Sequence, residues 1–241
     1  MKSLFKGIRK IIFIVFVILV FLAGYIISDG YQMYKKVTED VSIEEKVKEI
    51  QSKPSYVKID DVSKEYLDAV VSIEDKRFRS HFGIDLYSIG RAFINNVENK
   101  KILGGGSTIT QQLAKNMYFT QKKKLARKVA EVFVTLQLEE MYSKDEILEL
   151  YINIIYFGDG YYGIKDASNG YLSKEPNELD LNEATLLAGI PNAPSVYQLS
   201  NNSKYTYQRQ IIVIQSMVEN NCLSKEEAQK LIDEIKNSKN I

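Results

Sequence analysis

Glu74 is the residue whose setting could do chemistry. It ends a run in which Val62, Tyr66, Ala69, Val70 and Ile73 recur at helical spacing and mark a face for a core. Leu67, Val70 and Val71 point along the same side, so a carboxylate continues an apolar stripe just where the chain turns into the basic, aromatic stretch Lys76–Gly83, KRFRSHFG. A buried, unpaired carboxylate is costly, so Glu74 must reach solvent, find partners or line a cleft. An ordinary helix-end ion pair with Lys76, Arg77 or Arg79 would also account for it.

A second carboxylate sits in a comparable position. Lys122–Tyr142 reads as the central helix, apolar almost all round through Leu125, Val129, Val132, Phe133 and Leu136 on one side and Val134, Leu138 and Met141 on another. The exception is a narrow stripe of Lys124, Lys128, Glu131, Thr135 and Glu139, with Arg127 beside it. Such a stripe reads either as a solvated face with i,i+4 ion pairs or as one wall of a charged crevice. Two carboxylates and a cluster of cations suit displacement of a phosphate leaving group from a sugar. One carboxylate takes the proton of the attacking hydroxyl, while cations hold the departing diphosphate.

Between these two helices lies Lys100–Gln112, KKILGGGSTITQQ. Three glycines allow a loop with positive φ and a close backbone approach, and Ser107 is placed to cap the helix that follows. No Lys-Ser/Thr pair follows the glycines at the spacing of a nucleotide-binding loop. Thr108, Gln111, Gln112, Lys115 and Asn116 crowd polar groups onto that short helix, which suggests that it lines a polar site.

The rest of the chain supplies the frame. With 32 basic against 31 acidic residues, nothing global points to nucleic acid. A single cysteine, Cys222, and a single histidine, His81, argue against a disulfide framework and a thiolate or zinc centre. Ile11–Ile27 is an apolar run of bilayer-spanning length. Lys2, Lys6, Arg9 and Lys10 precede it and Asp29 follows, so the positive-inside rule predicts a cytoplasmic tail at 1–10, a transmembrane helix at 11–28 and everything beyond on the outer side. Residues 29–55, charge-rich and sparsely apolar, are expected to form a stalk closed by Pro54, with the functional domain at 56–241. Capping boxes at Ser143/Glu146, Asp180/Glu183 and Ser224/Glu227 indicate helices; the best strand signal is Tyr56–Ile59.

Five segments in this order, EDKRFRSHFG, GGSTITQQLAKNMYF, RKVAEVFVTLQLE, YSKDEILELYINIIYFGDGYYGI and LNEATLLAGIPNAPSVY, resemble the successive motifs of the peptidoglycan glycosyltransferases of glycosyltransferase family 51, from about Asp60 to Met217. These are the polymerase domains of class A penicillin-binding proteins and their monofunctional relatives. The resemblance implies a mostly α fold, with a large lysozyme-like lobe and a smaller membrane-proximal lobe after a single transmembrane helix. The implied substrate is lipid II and the growing glycan strand. The implied reaction is β-1,4 polymerisation with inversion and release of undecaprenyl diphosphate.

Glu74 matches the family's general base. Glu131 matches the second glutamate, which would support the leaving diphosphate directly or through a divalent cation such as Mg2+ or Mn2+. Lys115, Arg127 and Lys128 match diphosphate-binding cations, and Asp75, Phe78, His81, Ser107, Thr108, Gln111, Gln112 and Asn153 match other motif positions. His81 and Asn153 are expected to be supporting hydrogen bonders; Tyr156, Phe157, Tyr161 and Tyr162 are expected in core or groove wall. Two departures lie outside the catalytic motifs: Tyr197-Gln198-Leu199 lacks a usual proline, and a YFGK-like stretch reads Tyr171-Leu172-Ser173-Lys174. The short remainder after Met217 points to the monofunctional branch, with membrane lipid and a separate transpeptidase as expected partners. A glycan-cleaving enzyme of similar shape and a catalytically inactive cell-wall scaffold are the competing readings. The first would not need the cationic set, and the second would not need both glutamates.

Overall fold

In the computed structural model, residues 2–91, 106–119, 125–201 and 203–239 are described. The apolar run is the middle of one long helix, α1 (Lys2–Asp40), in which Gly7–Asp40 is long and apolar enough to cross a membrane. Ile11, Phe16, Leu19, Phe21 and Ile27 all lie exposed on it, as suits lipid rather than a protein core.

The stretch expected to be a stalk is instead part of the folded body. α1 continues unbroken past Asp29, and α2 (Ile43–Gln51) begins in a capping box in which Ser42 and Glu45 satisfy each other's backbone amides. Ile43, Val47 and Ile50, the sparse apolar stripe of that segment, are buried in the main core. Three residues per two turns suffice for one face of a short helix, which is why the segment looked solvated by composition.

Three helices carry the centre of the domain: α3 (Lys64–Glu74), α4 (Ile109–Tyr118) and α5 (Leu125–Met141). Around them pack α6 (Lys144–Ile154), α7 (Ile164–Leu172), α8 (Leu181–Gly189) and α9 (Lys204–Glu219), with α10 (Lys225–Lys239) covering α9 through a small second cluster of Ala228, Leu231, Ile232 and Ile235. Val62, Tyr66, Ala69 and Val70 are buried as their spacing predicts, and Ile73 is half-buried. The three predicted capping boxes are present. Tyr56–Ile59 is not a strand: it runs irregularly into a 3-10 turn, its amide and carbonyl at Val57 bonded to Asn153 rather than to a sheet partner. The fold is mostly α, and the β pairing seen among the described residues is the isolated Tyr156–Tyr162 bridge.

The seam between α1 and α5 positions the anchor against the domain. Tyr31 and Tyr34 meet Phe133 ring to ring, at centroid distances of 5.2 and 5.5 Å, and the Tyr34 hydroxyl donates to Gln137. At Gly30 the helices touch backbone to side chain: a Cβ there would stand 2.5 Å from Val129 Cβ and 2.8 Å from the Ala126 carbonyl oxygen. Only glycine permits that approach.

The departure at Ser173 has a visible cost. This residue ends α7 in the left-handed conformation, φ 56°, while its amide donates to Asn169 and Ser168. A side chain there is strained, whereas glycine is not. Ser173→Gly should raise thermal stability by roughly 0.5–1 kcal/mol, the left-handed penalty less glycine's greater freedom in the unfolded chain. An unchanged or lowered melting temperature would refute this account.

Candidate active site

The turn after α3 is held by Asp75. Its carboxylate accepts from His81 Nε2 at 2.9 and 3.0 Å and from the Ile109 amide, the first of α4, at 3.0 Å. Burial pushes the Asp75 carboxyl above its ordinary range, opposed by the His81 hydrogen bond and charge and by the Ile109 amide. Phe78, fully buried, pins the turn from below.

Thr108, not Ser107, caps α4, in a box with Gln111, and the Thr108 hydroxyl also donates to the Gly83 carbonyl at 2.6 Å. Gly83 has φ 75° and lies so close to α5 that a Cβ would sit 2.6 Å from Thr135 Cγ2. Gly104 and Gly105 of the glycine run, and Lys122–Lys124 at the expected start of the central helix, fall outside the described residues.

These contacts place Glu74 at the edge of a cavity of about 350 Å³. Its Oε2 accepts from Gln112 Nε2 at 2.6 Å, and Gln112 Oε1 in turn accepts from the buried Tyr151 hydroxyl at 3.3 Å. On the other side Arg209 Nη2 of α9 stands 3.8 Å from Glu74 Oε1. Ser107, Gln111, Lys115 and Lys128 complete the polar wall, with Pro191 and Asn192 opposite. Among the described residues, the ionisable groups lining the cavity are three cations, Lys115, Lys128 and Arg209, and one carboxylate, Glu74. Such a site favours an anion while keeping one base in reach of it.

Glu131 lies differently from the expected crevice wall. It is buried, and it does not line the cavity directly: Arg127 Nε is 3.0 Å from Oε1 and Lys128 Nζ is 3.1 Å from Oε2. From Glu131 onward the polar stripe of α5 is thus an inward face, with Thr135 fully buried and Glu139 held by Lys144 and Thr110. Burying a carboxylate is tolerable when its charge is matched at contact distance. Lys128 also donates to Ser107 at 3.1 Å, so Glu131 fixes the cation that the cavity sees. A divalent ion at Glu131 would have to displace the two cations that its oxygens already face.

Other sequence-derived candidates are not brought together there. Asn116 is exposed and turned away from the cavity; α4 is not a mainly polar helix either, since Ile109, Leu113, Ala114 and Met117 bury its other side. Asn153 is buried beside Val57, where it braces the segment before α3. Tyr156 and Tyr162 stack on each other in the open, while Phe157 is core. Sequence reasoning missed Arg209. Its one signal was a lone arginine in the helical run Tyr205–Ile214, on the face that carries the buried Thr206, Gln210 and Val213.

The sequence model of the transglycosylase family matches residues 39–218. The chain belongs to the transglycosylase family. A Cupriavidus necator protein named "Putative transglycosylase" is 42% identical over 174 residues, 72% of this chain and 75% of that protein. Penicillin-binding protein 1F of Bacillus subtilis is 42% identical over 172 residues, and penicillin-binding protein 1A of Neisseria flavescens 39% over 184. The chain spans about a quarter of the length of these two penicillin-binding proteins, 24% and 23%. The matched region begins at residue 39, within the segment that packs as core rather than as linker.

Further along the chain, Asp85 accepts from Arg77 and from Ser88, and Arg77 lies 4.2 Å over the Tyr87 ring. Burial alone would raise the Asp85 carboxyl, but the Arg77 and Ser88 hydrogen bonds outweigh it and hold the group well below the carboxylate range. A depressed folded-state value means the stabilisation is complete above the unfolded value near 4 and is lost as pH falls from there. The stability gap between the wild type and Asp85→Asn, read from urea melts, should therefore be largest near neutrality and narrow in acid below about pH 4. A gap independent of pH would refute the ion pair's role.

Proposed function

We propose that this protein is a membrane-anchored peptidoglycan glycosyltransferase that polymerises lipid II into β-1,4-linked glycan with inversion at the donor sugar. The observation that carries the reading is the cavity in which Glu74 faces Lys115, Lys128 and Arg209. The family membership and the name of one relative, a putative transglycosylase, support it.

The reaction needs two partners on opposite sides of one anomeric carbon. Glu74 takes the proton of the acceptor hydroxyl as its oxygen bonds to that carbon; the bond to the diphosphate oxygen breaks, and its electron pair leaves with undecaprenyl diphosphate. Gln112 and Arg209 hold Glu74 in place, each through one oxygen. Lys115 and Lys128 meet the growing negative charge, and Glu131 with Arg127 keeps Lys128 aimed at it. Glu74 and Glu131 thus serve separate ends of the displacement, with separate sets of partners, which suits direct inversion better than a shared-proton pair.

The basic flank Lys2–Lys10 implies a cytoplasmic N-terminus and an extracytoplasmic domain, with membrane lipid around α1 and a separate transpeptidase to crosslink the product. Residues 29–55 then belong with the catalytic domain.

Glu74→Gln should lower polymerisation of labelled lipid II by roughly 10²–10⁴-fold, the usual loss of a general base, while the melting temperature stays near the wild-type value. A folded variant with near-normal turnover would remove Glu74 from that role. Orientation is tested at Cys222, the one cysteine and exposed. A membrane-impermeant maleimide should label it in intact spheroplasts, and labelling only after lysis would invert the topology.

A further inference from the structure

The side chain that donates to Glu74 is itself held from behind. Gln112 Nε2 donates to Glu74 Oε2 at 2.6 Å, and Gln112 Oε1 accepts from the Tyr151 hydroxyl at 3.3 Å. The three residues come from three helices, Glu74 from α3, Gln112 from α4 and Tyr151 from α6. Glu74 and Gln112 line the cavity, whereas Tyr151 is fully buried in the main core behind them.

A buried phenol hydroxyl usually finds a partner, and a backbone carbonyl would have served. Tyr66 of α3 is the contrast: it is equally buried, and its hydroxyl has no hydrogen-bond partner among the described residues. This core therefore tolerates an idle phenol, and the bond from Tyr151 to Gln112 is not demanded by burial alone. Burial pushes the Tyr151 hydroxyl well above its ordinary range, so it keeps its proton and can donate it.

An amide carries donors at one end and an acceptor at the other, on nearly the same shape. Unanchored, Gln112 could swing into the cavity or turn its oxygen toward the Glu74 carboxylate, acceptor against acceptor. With Oε1 engaged by Tyr151, the NH2 end is the one left for Glu74. The bond from Tyr151 is longer than the usual hydroxyl range, so it steers the amide more than it stabilises the fold.

We propose that Tyr151 is a positioning residue for the reaction, acting through Gln112 to keep Glu74 where it can take the acceptor proton. The proposal rests on the glycosyltransferase reading, and extends the support of its base from the cavity wall into the core. Lys115 and Lys128 take no part in the relay, so diphosphate binding should not depend on it.

The test uses the full chain in lipid nanodiscs with labelled lipid II. Tyr151→Phe keeps the ring and removes the hydroxyl; it should lower kcat roughly tenfold and leave KM within about twofold of the wild type, the loss of one bond in a chain to a charged group. Tyr66→Phe, which removes the idle hydroxyl, should change neither constant. Gln112→Met removes the middle of the relay, and adding Tyr151→Phe to it should cost no further kcat, because nothing is left to act through. An unchanged kcat in Tyr151→Phe, the same loss in Tyr66→Phe, or a full further loss in the Gln112→Met background would each overturn the proposal. A second readout needs no turnover: hydrogen exchange of the Gln112 side-chain amide by 15N NMR, its signal identified by its absence in Gln112→Met. Exchange should be slow in the wild type and in Tyr66→Phe and fast in Tyr151→Phe. A wild-type amide that exchanges like a solvent-exposed glutamine would by itself rule out the relay. If the wild type does not polymerise lipid II, the glycosyltransferase reading fails and takes with it the role in catalysis, while exchange still decides whether Tyr151 holds Gln112.

Discussion

The carboxylate of Asp75 is the interaction on which the site depends. It ties His81, six residues on, and the first amide of α4, 34 residues on, to the end of α3 within one hydrogen-bonding shell. Because Glu74 is its neighbour in the chain, the same bonds fix where Glu74 emerges and bring Gln112 within 2.6 Å of it. The arrangement explains why a carboxylate can be left inside at position 75. Burial opposes its charge, but two donors answer it, and an unmatched group at that depth would be untenable.

A second buried carboxylate, Glu131, solves a different problem. Lys128 is half-exposed and long; unrestrained, its ammonium would sample many positions. Paired below with Glu131 and beside with Ser107, it becomes a fixed charge at the cavity wall. The protein thus places a partner under the cation instead of relying on the ligand to order it. That is preorganisation of the kind that makes electrostatic stabilisation of a leaving group effective.

Much of this was legible in the sequence because the relevant signals are local. Capping boxes, the apolar stripe before Glu74 and the alternation of cations and carboxylates along α5 depend on residues three or four apart, and the structure keeps them. What was misjudged depends on distant partners. The charged face of α5 looked equally like a solvated surface, since only α4 and the turn at Gly83, both packed against α5, decide that Thr135 and Glu131 are inside. α2 looked like a linker because its core contribution is three residues. Asn116 shares a helix with Lys115 but points elsewhere, as a rotation of 100° per residue requires. Arg209 was missed because nothing within a turn of it marks it; its meaning comes from Glu74, 135 positions earlier, across the cavity.

The continuity of α1 into the domain has a mechanical consequence. The 34 residues from Gly7 to Asp40 form one rod about 50 Å long, against a hydrocarbon layer of about 30 Å. With Tyr31, Tyr34 and Gly30 locked onto α5, the rod cannot swivel at the water boundary, so the cleft stands at a set height above the headgroup plane. A thicker or thinner bilayer would tilt the rod and shift that height by ångströms. Membrane thickness then acts as a dial on how far the cleft and its Lys128 stand from the headgroups.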